Sequence, residues 1–177
     1  DPLNPGAHHY LIHLNESNGK IPAANVHAEN FVKASPSTSH AQHMYGHILP
    51  QLGRWTEAAD VFLKAHNVHL NEFKTEGIQP HEDWHFAHNV DLLISTLIYL
   101  DRIEDAAKLT GNLCADEKSI ETCLTAVHVQ IGTGNLSTAE NLMDHRLKGY
   151  RNHPFFVSLK ILIALARKDF AKAETLV

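Results

Sequence analysis

A chain of 177 residues, 44% of them hydrophobic, can bury a core of its own, as one domain or one continuous repeat array. With 15 Lys plus Arg against 20 Asp plus Glu, its formal charge of -5 builds no basic field, which argues against nucleic acid and anionic membrane surfaces as partners. Apolar runs such as "LLISTLIYL" fall well short of the roughly 20 residues that span a bilayer, and no charged n-region with a following h-region opens the chain.

The first expected helix carries "NPGAHHYLIH" and runs towards Gly19. A second follows in "GKIPAANVHAENFVKASP", with Pro22 near its start, where a missing N–H is harmless. The third lies in "SHAQHMYGHILPQLG", and Pro50 in its last turn is expected to kink or end it. From Gly53 a fourth runs through "GRWTEAADVFLKAHN". The polar stretch "NEFKTEGIQPHED" is an insertion, expected to fold as a long loop. After Pro80 a helix runs through "HNVDLLISTLIYLDR", where Leu92, Leu93, Leu97 and Leu100 share one apolar stripe. Further helices are expected in "DRIEDAAKL", in "GNLSTAENLM", after Pro154 with the stripe Phe156, Leu159, Ile163 and Ala166, and in "KDFAKAETLV". No stretch alternates as a strand would. Cys114 and Cys123, too few for a disulfide scaffold and without C-x-x-C spacing, are read as inert buried thiols at a helix–helix turn.

These helices repeat. Gly19 aligns with Gly53, Ala24 with Ala58, Ala28 with Phe62 and Phe31 with Ala65, each pair 34 residues apart. The same alanine recurs at Ala106, Ala139 and Ala173, after steps of 48, 33 and 34. The long step is one repeat plus the polar insertion. Gly46 and Ala58 are small where two helices of a hairpin must approach closely. Trp55 and Phe62 are read as hairpin core, and Met44 as packed.

With Gly46, Gly53, Trp55, Ala58, Phe62 and Ala65 at its small and aromatic positions, the sequence resembles the tetratricopeptide repeat family over nearly its whole length. Ile94 and Asp101 stand where that family usually has glycine. The segments "NPGAHHYLIH", "HAQHMYGH" and "HNVDLLISTLIYLDR" look like a His-rich bacterial branch of such proteins, which brings no established activity with it. The resemblance implies an all-α solenoid of about five antiparallel helical hairpins, with units at roughly 5–36, 37–79, 80–116, 117–150 and 151–177. It further implies a concave groove, lined by the first helix of each unit, that binds a protein or peptide. Neither end offers a polar capping unit. The chain is therefore expected to start within a helix and to be a fragment of a longer protein or one that associates end to end. The cytoplasm is slightly favoured, secretion following if a signal peptide is missing.

Histidine is the compositional outlier, at 15 residues. Counted back from the unit-closing residues Gly19, Gly53, Asp101 and Gly134, position six holds His13, His47, Ser95 and His128. Position ten holds His9, His43, Asp91 and Leu124, and position thirteen holds Gly6, His40, His88 and Glu121. Steps of three and four stack these on one face of each first helix. Position seven (Ile12, Gly46, Ile94, Val127) faces the hairpin partner instead. In the resembled family the stripe faces the groove, so His9, His13, His40, His43, His47, His88, Asp91 and His128 should converge there, with His85 at the rim. Trp84 and His85 open the long-loop unit, where a loop folding over the groove would be placed to bind something.

Three uses of that stripe compete. It is a polar lining satisfied by its own hydrogen bonds, a surface that holds a peptide or an anionic small molecule, or a metal site. In the last, the i, i+4 pairs His9/His13 and His43/His47 supply four nitrogens to zinc, copper or nickel, aided by His40, His88 and Asp91. A metal-dependent hydrolytic role belongs to the same alternative. H-E-x-x-H is absent, as are a nucleophile elbow and a phosphate-binding Gly-rich loop, so a binding or scaffolding module is preferred to an enzyme. His27, His66, His69 and His145 are expected at the surface, and His81 and His153 in loops.

Overall fold

The computed structural model describes residues 3–110, 113, 114 and 120–177. The side chain of Glu121 and the unit boundary at 116–117 lie outside the described residues. The chain forms two compact units, Asp1–Leu100 and Asp101–Val177. The division falls inside the repeat expected at 80–116, between its two helices.

The first unit holds α1 (Pro5–Ser17), α2 (Ile21–Ala34), α3 (Ser39–Ile48), α4 (Trp55–Glu76) and α5 (Trp84–Tyr99). The start of α1 corrects one expectation: the chain does not begin inside it. The Asn4 side chain accepts from the Ala7 N–H at 2.9 Å, and Pro5 takes the first turn, where it has no N–H to waste. Pro50 acts as expected. The α-helix stops at Ile48 and tightens into a 3-10 turn over Leu49–Leu52. Packing in the α1/α2 hairpin joins Ile12, Ala24 and Ala28, all without exposed surface, to Phe31 and then to Ala41, Met44 and Ile48 of α3. At Gly46 the α3/α4 hairpin closes so tightly that a Cβ would lie 2.6 Å from Cε1 of Phe62. Trp55 departs from the expected core role: it is half-buried and stacks on Tyr99, ring centroids 3.7 Å apart.

The polar insertion is not a long loop. Its first six residues extend α4 to Glu76, where Gly77 adopts a left-handed φ of 72° and ends the helix. Only a short turn and a 3-10 segment, Pro80–Glu82, then lead into α5. The extension adds Phe73 to the buried strip of α4 that holds Phe62, Ala65, His66 and His69, and Phe86 of α5 packs against His66, His69 and Phe73.

The second unit holds α6 (Ile103–Leu109), α7 (Ile120–Gly132), α8 (Leu136–Arg146), α9 (Pro154–Ala166) and α10 (Phe170–Thr175). Its core includes Ala106, Val127, Ala139 and Phe156, none with exposed surface. Cys114 and Cys123 are not free thiols but a disulfide, Cα atoms 4.5 Å apart, and beside it the Thr122 hydroxyl donates to the Leu113 carbonyl at 3.0 Å. Two cysteines cannot make a scaffold. They can still clip one turn, because nine residues of separation bring the end of α6 and the start of α7 back together.

The repeat register is visible in the backbone. All five unit-closing residues, Gly19, Gly53, Asp101, Gly134 and Lys168, have positive φ, between 57° and 78°. Each hairpin turns through the same left-handed step, whether or not the residue is glycine. The repeated alanines Ala24, Ala58, Ala106 and Ala139 are fully buried, and Ala173 nearly so. Among the described residues no helix is long and apolar enough to cross a membrane.

Candidate functional site

Three helices of the first unit present histidines. α1 carries His9 and His13 one turn apart, α3 carries His40, His43 and His47, and α5 carries His85 and His88. Position seven of the register is buried in the first four units: Ile12, Gly46, Ile94 and Val127. That burial turns the stripe residues away from the hairpin partner, and the rings meet.

His9 is the hub on one side. Its Nε2 lies 3.1 Å from Nε2 of His13 and 3.1 Å from Nε2 of His40. His40 continues the chain of rings, stacked on His43 at 5.8 Å and edge-on to His85 at 4.9 Å. His43 then meets His88 at 5.0 Å and His47 at 5.7 Å. Seven of the predicted site residues thus form one continuous cluster. The expected quartet divides within it: His9 and His13 gather with His40, while His43 and His47 gather with His88. Asp91 is exposed on α5, and His128 is exposed on α7 in the second unit.

Two residues outside the predicted set organise the cluster. Asn89, with no exposed surface, donates from Nδ2 to the Phe62 carbonyl at 3.1 Å, which turns its Oδ1 towards Nδ1 of His43 at 3.2 Å. An amide oxygen can only accept, so Nδ1 of His43 carries the proton and Nε2 keeps the lone pair. Glu16 does the same for His47, accepting from Nδ1 at 3.1 Å while Gln51 donates to the same carboxylate oxygen at 2.6 Å. Glu16 stands three residues after His13 on the same helix face, a signal available in the sequence. Asn89 sits one position off the stripe, and no spacing marked it.

Burial keeps the deeper rings neutral. It lowers His43 to about 3, against the opposing pull of the Asn89 hydrogen bond, with His88, His47 and His40 adding to the drop. Burial, then the neighbouring His9 and His85, lowers His40 to about 4, and its Nδ1 is buried without a hydrogen-bond partner. His9 is lowered by burial and by His13 and His85. At neutral pH each of these rings offers one N–H and one lone pair. Trp84, 60% exposed, stacks on His88 at 5.1 Å, and Tyr10, 76% exposed, lies beside His9 at 5.6 Å. Polar rings are thus flanked by two accessible aromatic faces.

The other histidines depart from expectation in two places. His66 and His69 are buried, because Phe86 of α5 packs on both rings and Phe73, one turn further along α4, covers His69. His27 is half-buried, its Nδ1 3.1 Å from Nδ1 of the buried His8. His145 is exposed as expected. His81 falls in the 3-10 segment, and His153 caps α9, its Nδ1 accepting from the Phe155 N–H at 3.3 Å.

No protein-family model and no curated protein matches the chain. Its fold does match solved structures. A Podosopora anserina kinesin light chain-like protein of nearly identical TPR-like repeats superposes with a TM-score of 0.73 at 14% identity, over 99% of this chain and 92% of that one. A point variant of that protein gives 0.74 at the same identity and coverage. YrrB, described as a TPR protein with an unusual peptide-binding site, superposes with a TM-score of 0.61 at 15% identity, over 93% of this chain and 78% of that one. The fold is therefore the all-α, TPR-like solenoid of helical hairpins that the family resemblance implied.

Proposed function

We propose that the chain is a protein- or peptide-binding module and that the histidine face of α1, α3 and α5 is its recognition surface. The contiguity of seven imidazoles from three helices, flanked by exposed Trp84 and Tyr10, carries this reading. The likeness to YrrB, whose description names a peptide-binding site, supports it. Neutral imidazoles present N–H donors without the desolvation cost of a fixed charge. An extended peptide bearing carboxylate or amide side chains, with an aromatic or proline to lie on Trp84, fits that chemistry.

Selection of a displayed peptide library on the chain, in the presence of a chelator, tests the reading. Selected peptides should bind the Trp84→Ala, His85→Ala double variant at least about tenfold more weakly, a loss of roughly 1.4 kcal/mol. Both side chains are largely exposed, so the variant should fold. Equal binding to the variant would place recognition elsewhere.

A further inference from the structure

The histidine face contains a more specific arrangement than a hydrogen-bonding surface needs. His43 and His47 lie one turn apart on α3, and His88 approaches from α5, 41 residues further along the chain than His47. One nitrogen from each of the three rings lies within 4.8 Å of the others. Three imidazole ligands of a tetrahedral ion with metal–nitrogen bonds of about 2.0–2.1 Å would stand about 3.4 Å apart. Small side-chain rotations close that difference.

Orientation distinguishes this trio from a chance gathering. A ring that ligates through one nitrogen needs its other N–H held by an acceptor, and a carboxylate, an amide or a carbonyl serves. His43 has the Asn89 amide oxygen at 3.2 Å, itself fixed by the Phe62 carbonyl, and His47 has the Glu16 carboxylate at 3.1 Å. Both Nδ1 atoms are thereby committed as donors. Nε2 is the lone pair that each ring has left to give. The Trp84 ring stacks on His88 and limits how that imidazole can turn. His47 and His88 are half-buried, so an ion can arrive from solvent while His43 closes the floor.

We propose that His43, His47 and His88 form a binding site for one divalent transition-metal ion of the zinc class, with Glu16 and Asn89 as positioning residues and a fourth coordination position open. Three imidazole ligands suit zinc, copper and nickel rather than the hard ions that prefer oxygen. The open position is where a water, or a side chain of a bound peptide, would complete the tetrahedron. The site does not depend on peptide recognition, since the metal alone is the probe.

Calorimetric titration of the chelator-treated chain with zinc chloride near neutral pH tests the proposal, with visible absorption of the cobalt-loaded chain reporting geometry. One ion per chain should bind tighter than about 10 micromolar, and cobalt should give the absorption of a tetrahedral centre. His88→Ala should weaken binding at least about tenfold. Glu16→Ala, which leaves no side-chain acceptor for Nδ1 of His47, should weaken it by roughly 10- to 100-fold, through loss of ring orientation. His145→Ala, at an exposed position of α8, should leave it unchanged. Circular dichroism confirms that each variant folds, and Glu16→Ala carries the test if His88→Ala does not. Binding no tighter than about 10 micromolar, equal affinity in wild type and a folded His88→Ala, or loss on His13→Ala with retention in His88→Ala would each overturn the assignment.

Discussion

Asn89 holds His43 in a single tautomer: its buried amide donates to the Phe62 carbonyl at 3.1 Å and can therefore only accept from Nδ1 of His43, at 3.2 Å. One side chain thus ties α5 to the backbone of α4 and to a ring of α3. Replacing it by alanine leaves a ring N–H unsatisfied in the interior, removes a second bond to the Phe62 carbonyl and opens a cavity. Asn89→Ala should cost about 2–3 kcal/mol in urea unfolding. The nitrogen chemical shifts of His43 should then show a mixture of tautomers. A single Nδ1–H tautomer in the variant would mean that another group orients the ring.

Gly46 is required by volume rather than by backbone conformation. A Cβ there would meet Cε1 and Cδ1 of the buried Phe62 ring at 2.6 and 2.7 Å. Gly46→Ala should destabilise by about 1–2 kcal/mol, the overpacking cost exceeding the gain in helix propensity. The double variant Gly46→Ala, Phe62→Leu should recover part of that loss relative to the sum of the single changes. Strict additivity would show that the two positions do not compete for space.

Lys168 closes a hairpin at a φ of 60°, where Gly19, Gly53 and Gly134 close theirs without a Cβ. A non-glycine residue in that region costs about 1–2 kcal/mol, less for a short polar residue of the Asp101 type, which tolerates the conformation better. Lys168→Gly should therefore raise stability by about 0.5–1 kcal/mol, and Asp101→Gly by less. Thermal unfolding of both variants checks the order.

The buried pair His66 and His69 makes stability depend on pH. Burial lowers both below the ordinary 6.5, aided at His66 by His69 and opposed at His69 by Asp83 and Glu72. Between each lowered value and 6.5 the unfolded chain binds more protons than the folded one. Stability is thus fully present above about pH 6.5 and falls as pH drops below it, by up to about 1.4 kcal/mol per pH unit for each ring. Urea midpoints with chelator present, between pH 7.5 and 5.5, should show the decline. His66→Phe, which keeps a ring against Phe86, should reduce the slope without abolishing it, since His69, His9, His40 and His43 are lowered as well; an unchanged slope would exclude His66 as a contributor.

The Cys114–Cys123 disulfide should stabilise the second unit by about 2.5 kcal/mol, the entropy of closing a loop of this length in the unfolded chain. Unfolding with and without reductant measures it. Two titratable thiols in the oxidised, denatured protein would contradict the bond.

Hairpin number, closing positions and the small residues at the close approaches were readable from the sequence. Each is set by local backbone geometry that recurs at a fixed period: the left-handed step at Gly19 recurs at Lys168, and the alanine of α2 recurs in α10. The same period placed the histidines on one stripe. Which ring meets which was beyond it. His40 and His9 are 31 residues apart, His43 and Asn89 are 46, and their meeting depends on rotamers and helix crossings that no spacing encodes. The burial of His66 and His69 was equally hidden, because a histidine on an apolar strip reads as polar until the packing of Phe86 against it is seen. Sequence periodicity set the direction in which the side chains point. Packing between helices decided which of them share a site, because contact, burial and tautomer are properties of neighbours in space.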